Sequence, residues 1–120
     1  MEKKVWMARE PEKLNDIFFA LSDATRREML TRLATGPKTV KELASPFEIS
    51  GPAVTKHLKV LERAGLINRM VRGRAHVLSF RPKALDVAEE WLGYQRRFWT
   101  LHLDELETLL KNKRTRSKRR

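Results

Sequence analysis

The stretch that decides the fold is SGPAVTKHLKVLERAGLI, Ser50–Ile67. Val54, Leu58 and Leu61 recur at i, i+4 and i+7, which predicts one buried stripe on a helix and leaves Thr55, Lys56, His57 and Lys59 pointing largely outward. Ser50 is a strong N-cap, able to accept from the free N–H groups of the first turn. Pro52 suits that turn because its missing N–H has no partner there. Gly65 ends the helix, and the apolar run beyond it leads to Arg72-Gly73-Arg74, which reads as a hairpin tip carrying two cations.

Upstream, Leu14, Ile17, Phe18 and Leu21 repeat at helical spacing and predict a first helix. Ser22 and Asp23 offer a cap for a second, whose inward face is Met29, Leu30 and Leu33, and Gly36-Pro37 stops it. Asp23, Thr25 and Arg26 read as structural: a cap followed by an arginine that orders the neighbouring turn. Thr39 and Glu42 fit a capping box, and Val40, Leu43, Ala44 and Phe47 give a third helix its buried face. Helix, short turn, and helix with a polar outer face is a helix-turn-helix, followed by a predicted two-stranded hairpin from Leu66–Val71 and Ala75–Phe80.

From Pro82 to about Asn112 the sequence predicts one helix of about 28 residues with a wide apolar face. Leu85, Ala88, Leu92, Trp99, Leu106 and Leu110 lie on one side, with Trp91, Tyr94, Phe98 and Leu101 beside them. So small a core cannot cover that face, so a second copy of the chain is the expected cover, giving a homodimer through Leu92, Trp99, Leu106 and Leu110, with Leu14 and Phe18 of the first helix added to the interface by the family resemblance given below. The fold class is thus mainly α with a small β-hairpin, a winged helix-turn-helix dimerising through its first and last helices. The expected division is an N-terminal arm at 1–13, a DNA-binding and dimerisation domain at 14–110, and a flexible basic tail at 111–120.

The 120 residues carry a net charge of +11, from 26 Lys and Arg against 15 Asp and Glu. That surplus favours a polyanionic partner. Seven of the cations sit in the last ten residues, KNKRTRSKRR, so the preceding 110 residues carry 11 − 7 = +4. There is no cysteine, which removes disulfides, thiolate metal ligands and cysteine nucleophiles together. The short apolar run Val5–Ala8 is no signal-peptide core, and no run is long enough to span a bilayer, so a soluble cytoplasmic protein without a membrane partner is expected. Three scattered histidines and no paired carboxylates make no catalytic constellation, so no enzyme and no cofactor are expected.

Several segments together resemble the ArsR/SmtB-type winged-helix repressors: ALSDATRREMLTRL at Ala20–Leu33, TVKELA at Thr39–Ala44, the Ser50–Ile67 run, the Arg72-Gly73-Arg74 wing, and EWLGYQRRFW at Glu90–Trp99. The resemblance covers Leu14 to Leu110. It implies a homodimeric repressor that reads double-stranded DNA with its third and fourth helices and is released by an effector, unknown here. Within it, Ser50, Ala53, Thr55, Lys56 and His57 are the candidates for base edges and nearby phosphates. Lys41 and Lys59 are candidate backbone contacts, and Arg72 and Arg74 are candidates for phosphate or the minor groove. The family's cysteine metal site has no counterpart. Its last-helix site is only half present, with His102 and Glu105 in place but Glu89 and Trp91 where Asp and His belong, so no metal is expected. Aromatic residues at helical spacing, Trp91, Tyr94, Phe98 and Trp99, fit packing better than an effector pocket. The rival reading is an architectural, sequence-independent nucleic-acid binder working through wing and tail, with a membrane-surface role for the tail weaker still.

Overall fold

The computed structural model describes the backbone of residues 11–119 and the side chains of residues 13–114. The expected N-terminal arm, with Trp6, lies largely outside the described residues. The elements run α1 (Pro11–Leu21), α2 (Ala24–Leu33), β1 (Lys38–Thr39), α3 (Val40–Ala44), α4 (Gly51–Arg63), β2 (Ile67–Arg72), β3 (Ala75–Phe80), a 3-10 turn at Pro82–Leu85, and α5 (Asp86–Arg119). They fall into two units, one through Ala88 and the other from Glu89 onward.

In the first unit nearly every element contributes to a single core. Ile17 of α1, Met29 of α2, Leu43 of α3, Leu58 and Leu61 of α4, Leu66 and Leu78 are all but inaccessible. Burying an aliphatic side chain of this kind contributes about 1.5–3 kcal/mol, so α4, with Val54, Leu58 and Leu61 all inside, is held mainly by its stripe. Its ends are closed as the residues require. Ser50 Oγ accepts from Ala53 N–H at 3.2 Å. At the far end Gly65 adopts φ +74°, Leu66 N–H donates to Leu61 C=O at 3.0 Å and Gly65 N–H donates to Glu62 C=O at 2.9 Å. That is the left-handed glycine stop with its paired hydrogen bonds, and buried Leu61 and Leu66 supply its usual apolar contact.

The sheet differs from the expected hairpin. It has three antiparallel strands in the order β1-β3-β2. Lys38 and Thr39 pair with Leu78 and Val77. A two-residue strand has no periodicity to read, and Thr39 is legible only as a cap. The same extended backbone that makes Thr39 an N-cap, φ −72° and ψ 161°, lets it pair with β3. In the wing, β2 and β3 pair from Ile67↔Phe80 to Arg72↔Ala75 around a Gly73-Arg74 turn. Positive φ falls on Gly73 (+62°) and on no other residue of that turn, the pattern of a two-residue hairpin loop with glycine first.

The last helix also differs from its expected extent. Pro82–Leu85 forms a 3-10 turn, and the α-helix proper begins at Asp86 and runs 34 residues to Arg119. Its backbone passes through Lys111, where the apolar spacing stops, without a break. Lys and Arg are good helix formers and no Gly or Pro intervenes, so the end of the apolar pattern is not the end of the helix.

Candidate nucleic-acid interface

The helix-turn-helix is assembled from two capped helices. Thr39 Oγ1 accepts from Glu42 N–H at 3.1 Å and Glu42 Oε1 accepts from Thr39 N–H at 2.9 Å, the reciprocal capping box expected from the sequence. The hydrogen bond from the Thr39 backbone, followed by one from its hydroxyl, holds the Glu42 carboxyl below its ordinary pKa. Pro46 follows α3 closely, and the chain re-enters a helix at Ser50.

On α4, Thr55, Lys56 and Lys59 are exposed and Ala53 is half-buried. Ser50 is exposed but spends its acceptor on the cap. Lys41 on α3 is exposed as well. At the wing, Arg72 and Arg74 flank Gly73, both exposed, and neither side chain has a hydrogen-bond or acidic partner among the described residues. A cation without a protein counterion keeps its full charge for an external anion.

His57 differs from the outward placement expected of it. Its side chain is 20 % exposed and turned to the start of α2, with Nδ1 3.1 Å from Arg26 Nη1 and 4.0 Å from Asp23 Oδ2. A guanidinium can only donate, so Nδ1 is the acceptor in this contact and Nε2 is left as the ring's donor. Arg26 is the centre of the arrangement. Among the described residues it is the one buried charged side chain, 7 % exposed, with Nε donating to Ala20 C=O and Nη2 to Phe19 C=O, both at 2.8 Å. Those carbonyls belong to the last turn of α1, where a helix leaves its acceptors unpaired. Arg26 thus ties the end of α1 to α4, beyond the local ordering role that the sequence assigns it. Asp23 caps α2 by accepting from Arg26 N–H at 3.1 Å, and that bond is the main reason its carboxyl titrates below the ordinary value.

A second tie, absent from the sequence reading, fixes the wing. Arg69 on β2 forks onto Glu62 of α4, Nε to Oε2 at 2.9 Å and Nη2 to Oε1 at 3.0 Å, while its Nη1 lies 3.1 Å from His76 Nδ1 on β3. The bidentate hydrogen bond lowers the Glu62 pKa and raises that of Arg69, as expected of one stabilised pair. Its signal in the sequence is an arginine two residues from buried Ile67, on the same side of the strand, with an acid seven positions earlier. Between α3 and the wing the same residues border an open groove of about 640 Å3 lined by Thr39, Lys41, Arg69, Arg74 and His76.

On α5, considered by itself, Leu92, Trp99, Leu106 and Leu110 are all half or more exposed, and Phe98, Leu101, Leu103 and Leu109 add to that apolar surface. Trp99 and Phe98 both contact the His102 ring, Phe98 stacked at 5.8 Å and Trp99 edge-on at 6.0 Å. Leu14 and Phe18 of α1 pack partly buried against the core of the first unit. Among the described residues no three His, Asp or Glu gather where they could hold a metal ion, and no helix is long and apolar enough to cross a membrane.

Residues 21–69, the segment from the end of α1 into β2, match a helix-turn-helix domain family. The chain is 43% identical over 81 residues to the HTH-type transcriptional regulator Rv2034 of Mycobacterium tuberculosis, covering 68% of this chain and 73% of that protein. It is 33% identical over 79 residues to the transcriptional repressor SdpR of Bacillus subtilis, covering 66% of this chain and 88% of that protein. Among solved structures it superposes on an ArsR family transcriptional regulator with a TM-score of 0.73 and 39% identity, covering 83% of this chain and 97% of the other. An ArsR-like regulator from Rhodococcus sp. RHA1 gives the same TM-score at 28% identity, covering 83% of this chain and 94% of that one. These are regulators of transcription and not enzymes. With its helix pair, its wing and these relatives, the chain belongs to the ArsR family of winged helix-turn-helix transcriptional regulators.

Proposed function

We propose that the chain is a sequence-specific repressor that binds an inverted-repeat operator as a homodimer, each copy placing the Ser50 end of α4 in the major groove. The observation that carries the reading is the exposed row Thr55, Lys56 and Lys59 on a rigidly capped helix beside a wing whose Arg72 and Arg74 have no counterion among the described residues. Hydroxyl and ammonium donors near a helix N-terminus suit base edges and adjacent phosphates, while arginines at a hairpin tip suit phosphate or the minor groove. Ser50 and Ala53 make the closest approach on this reading, Lys41 and Lys59 hold the backbone, and His57 contributes through its orientation as much as through contact. The apolar surface of α5 supports self-association, since a monomer rarely leaves so many large side chains in water. Two linked readers then meet half-sites about one helical turn apart. Promoter DNA puts the protein in the cytoplasm. Residues 14–110 act as the reading and dimerising part, and the basic residues 111–120 as a non-specific anchor.

Paired salt titrations on operator and scrambled DNA test this. Replacing Thr55 and Lys56 by alanine should cost about 1–3 kcal/mol for each base edge left unread, on the operator alone, collapsing the ratio of specific to random binding. Deleting Lys111–Arg120 should weaken both DNAs alike and lower the salt slope by about one unit for each phosphate that the tail no longer neutralises. If deletion of the tail erases sequence preference and the helix variant keeps it, the architectural reading replaces this one.

A further inference from the structure

At the C-terminal end of α4, away from the Ser50 end, lies a cavity of about 330 Å3 bordered by α1, by Arg63–Gly65 and by the 3-10 turn. Four cations line it: Lys13, Arg63, Arg81 and Lys83. Among the described residues only Arg63 has an acid within 4 Å, Asp16 Oδ1 at 3.9 Å from its Nε, too long for a good hydrogen bond. The side chains of Lys13, Arg81 and Lys83 have no hydrogen-bond or acidic partner among the described residues. A cation in the last turn of a helix complements the helix dipole, which accounts for Arg63. It does not account for the other three, Lys13 on α1 and Arg81 and Lys83 at the 3-10 turn, which border the same cavity. Arg81 is moreover held there by its backbone, whose N–H donates to Leu66 C=O at 2.8 Å. Between the charges the wall is apolar, formed by Ile17, Ala64, Ala84 and Val87, and the small residues keep it open.

We propose that this cavity binds a small amphiphilic anion, a molecule with a phosphate or carboxylate head and a short apolar body. The head sits among Arg63, Arg81 and Lys83, and the body lies on Ala84 and Val87. The volume is at the lower end of small-molecule sites, which sets the size of the ligand. The 13 residues of α4 put the site about 20 Å from the Ser50 end, so it is separate from the DNA interface and stands whether or not the operator reading holds.

The test is a titration of the uniformly 15N-labelled full chain with octyl phosphate, with inorganic phosphate and neutral octyl glucoside as parallel arms. Saturable shifts should appear at the Ala64, Gly65 and Ala84 amides with octyl phosphate, about tenfold tighter than with either partial probe. The double substitutions Arg81→Glu/Lys83→Glu and Arg81→Gln/Lys83→Gln touch exposed side chains, and each should weaken binding by about tenfold or more, with the circular dichroism unchanged. Equal affinity in both variants, or shifts confined to α5, overturns the site. If the reversals instead lower DNA affinity and its salt slope while octyl phosphate leaves Gly65 unmoved, the cations are backbone contacts for DNA and the proposal falls.

Discussion

Replacing Arg26 by alanine tests how α4 is held. The guanidinium makes three hydrogen-bonding contacts, with Ala20 C=O and Phe19 C=O at 2.8 Å and His57 Nδ1 at 3.1 Å. They are not equivalent. Phe19 C=O also accepts from Ser22 Oγ at 2.6 Å and from Ser22 N–H at 3.1 Å, so it keeps partners when Arg26 is removed. Ala20 is fully buried and its carbonyl has no such alternative, so it bears the penalty of an orphaned acceptor, about 1–3 kcal/mol. The cavity left by a 7 % exposed side chain adds to this, as does the removal of the guanidinium from the Phe19 ring, 5.1 Å away. Relief from burying a charge offsets part of the sum. The net is about 3 kcal/mol, or a fall in Tm of about 15 °C for a domain of this size. Asp23 still caps α2, since it accepts from the backbone N–H that alanine retains. Arg26→Lys keeps the charge but not the fork, and should lose about 2 kcal/mol. Urea unfolding followed by circular dichroism gives the free energies, and fluorescence anisotropy on operator and scrambled DNA, under conditions where each variant is folded, gives the functional effect. With His57 released from α2, sequence preference should fall further than overall affinity. A loss below about 1 kcal/mol for Arg26→Ala would refute the reasoning, because the Ala20 carbonyl would then have found another donor.

Thr39→Ala removes one half of the capping box and the side chain at the β1 end, and should destabilise the protein by about 1 kcal/mol by the same unfolding assay. Stability should also fall in acid. Asp23, Glu42 and Glu62 all titrate below their ordinary values of 3.8, 4.5 and 4.5 when folded. Their contributions are therefore complete above the unfolded carboxylate range and are lost as pH falls through the lower folded values. Unfolding measured from pH 6 to about pH 3 should be flat above about pH 5 and steep below, with Glu62→Gln flattening the acid limb; an unchanged limb would remove the Glu62–Arg69 pair from the account. Leu106→Glu places a charge in the apolar surface of α5 and should yield a monomer by light scattering that binds operator DNA at least about tenfold more weakly, whereas a monomeric wild-type chain at micromolar concentration would end the dimer reading.

Much of the molecule is legible in the sequence because it is local. The stripe Val54–Leu58–Leu61, the Ser50 and Thr39 caps, the Gly65 stop and the Gly73 turn are each set by residues within about one or two helical turns of each other, so spacing and residue type suffice to read them. The outer row of α4 and the wing arginines follow once those are placed. The tertiary structure decided what depends on residues far apart in the chain. Whether His57 faces outward or turns to Arg26 is settled by a partner 31 positions away, and periodicity assigns a face to a residue without saying what waits beside it. β1 exists only because β3 is there to pair with, since two residues carry no alternation of their own. The convergence of Lys13, Arg63, Arg81 and Lys83 on one cavity is likewise invisible along the chain, where they read as four separate solvated charges. Short-range order needs only neighbouring residues, whereas the orientation of α4 and the gathering of charge need the closed core that brings α1, α2, α4 and the sheet together.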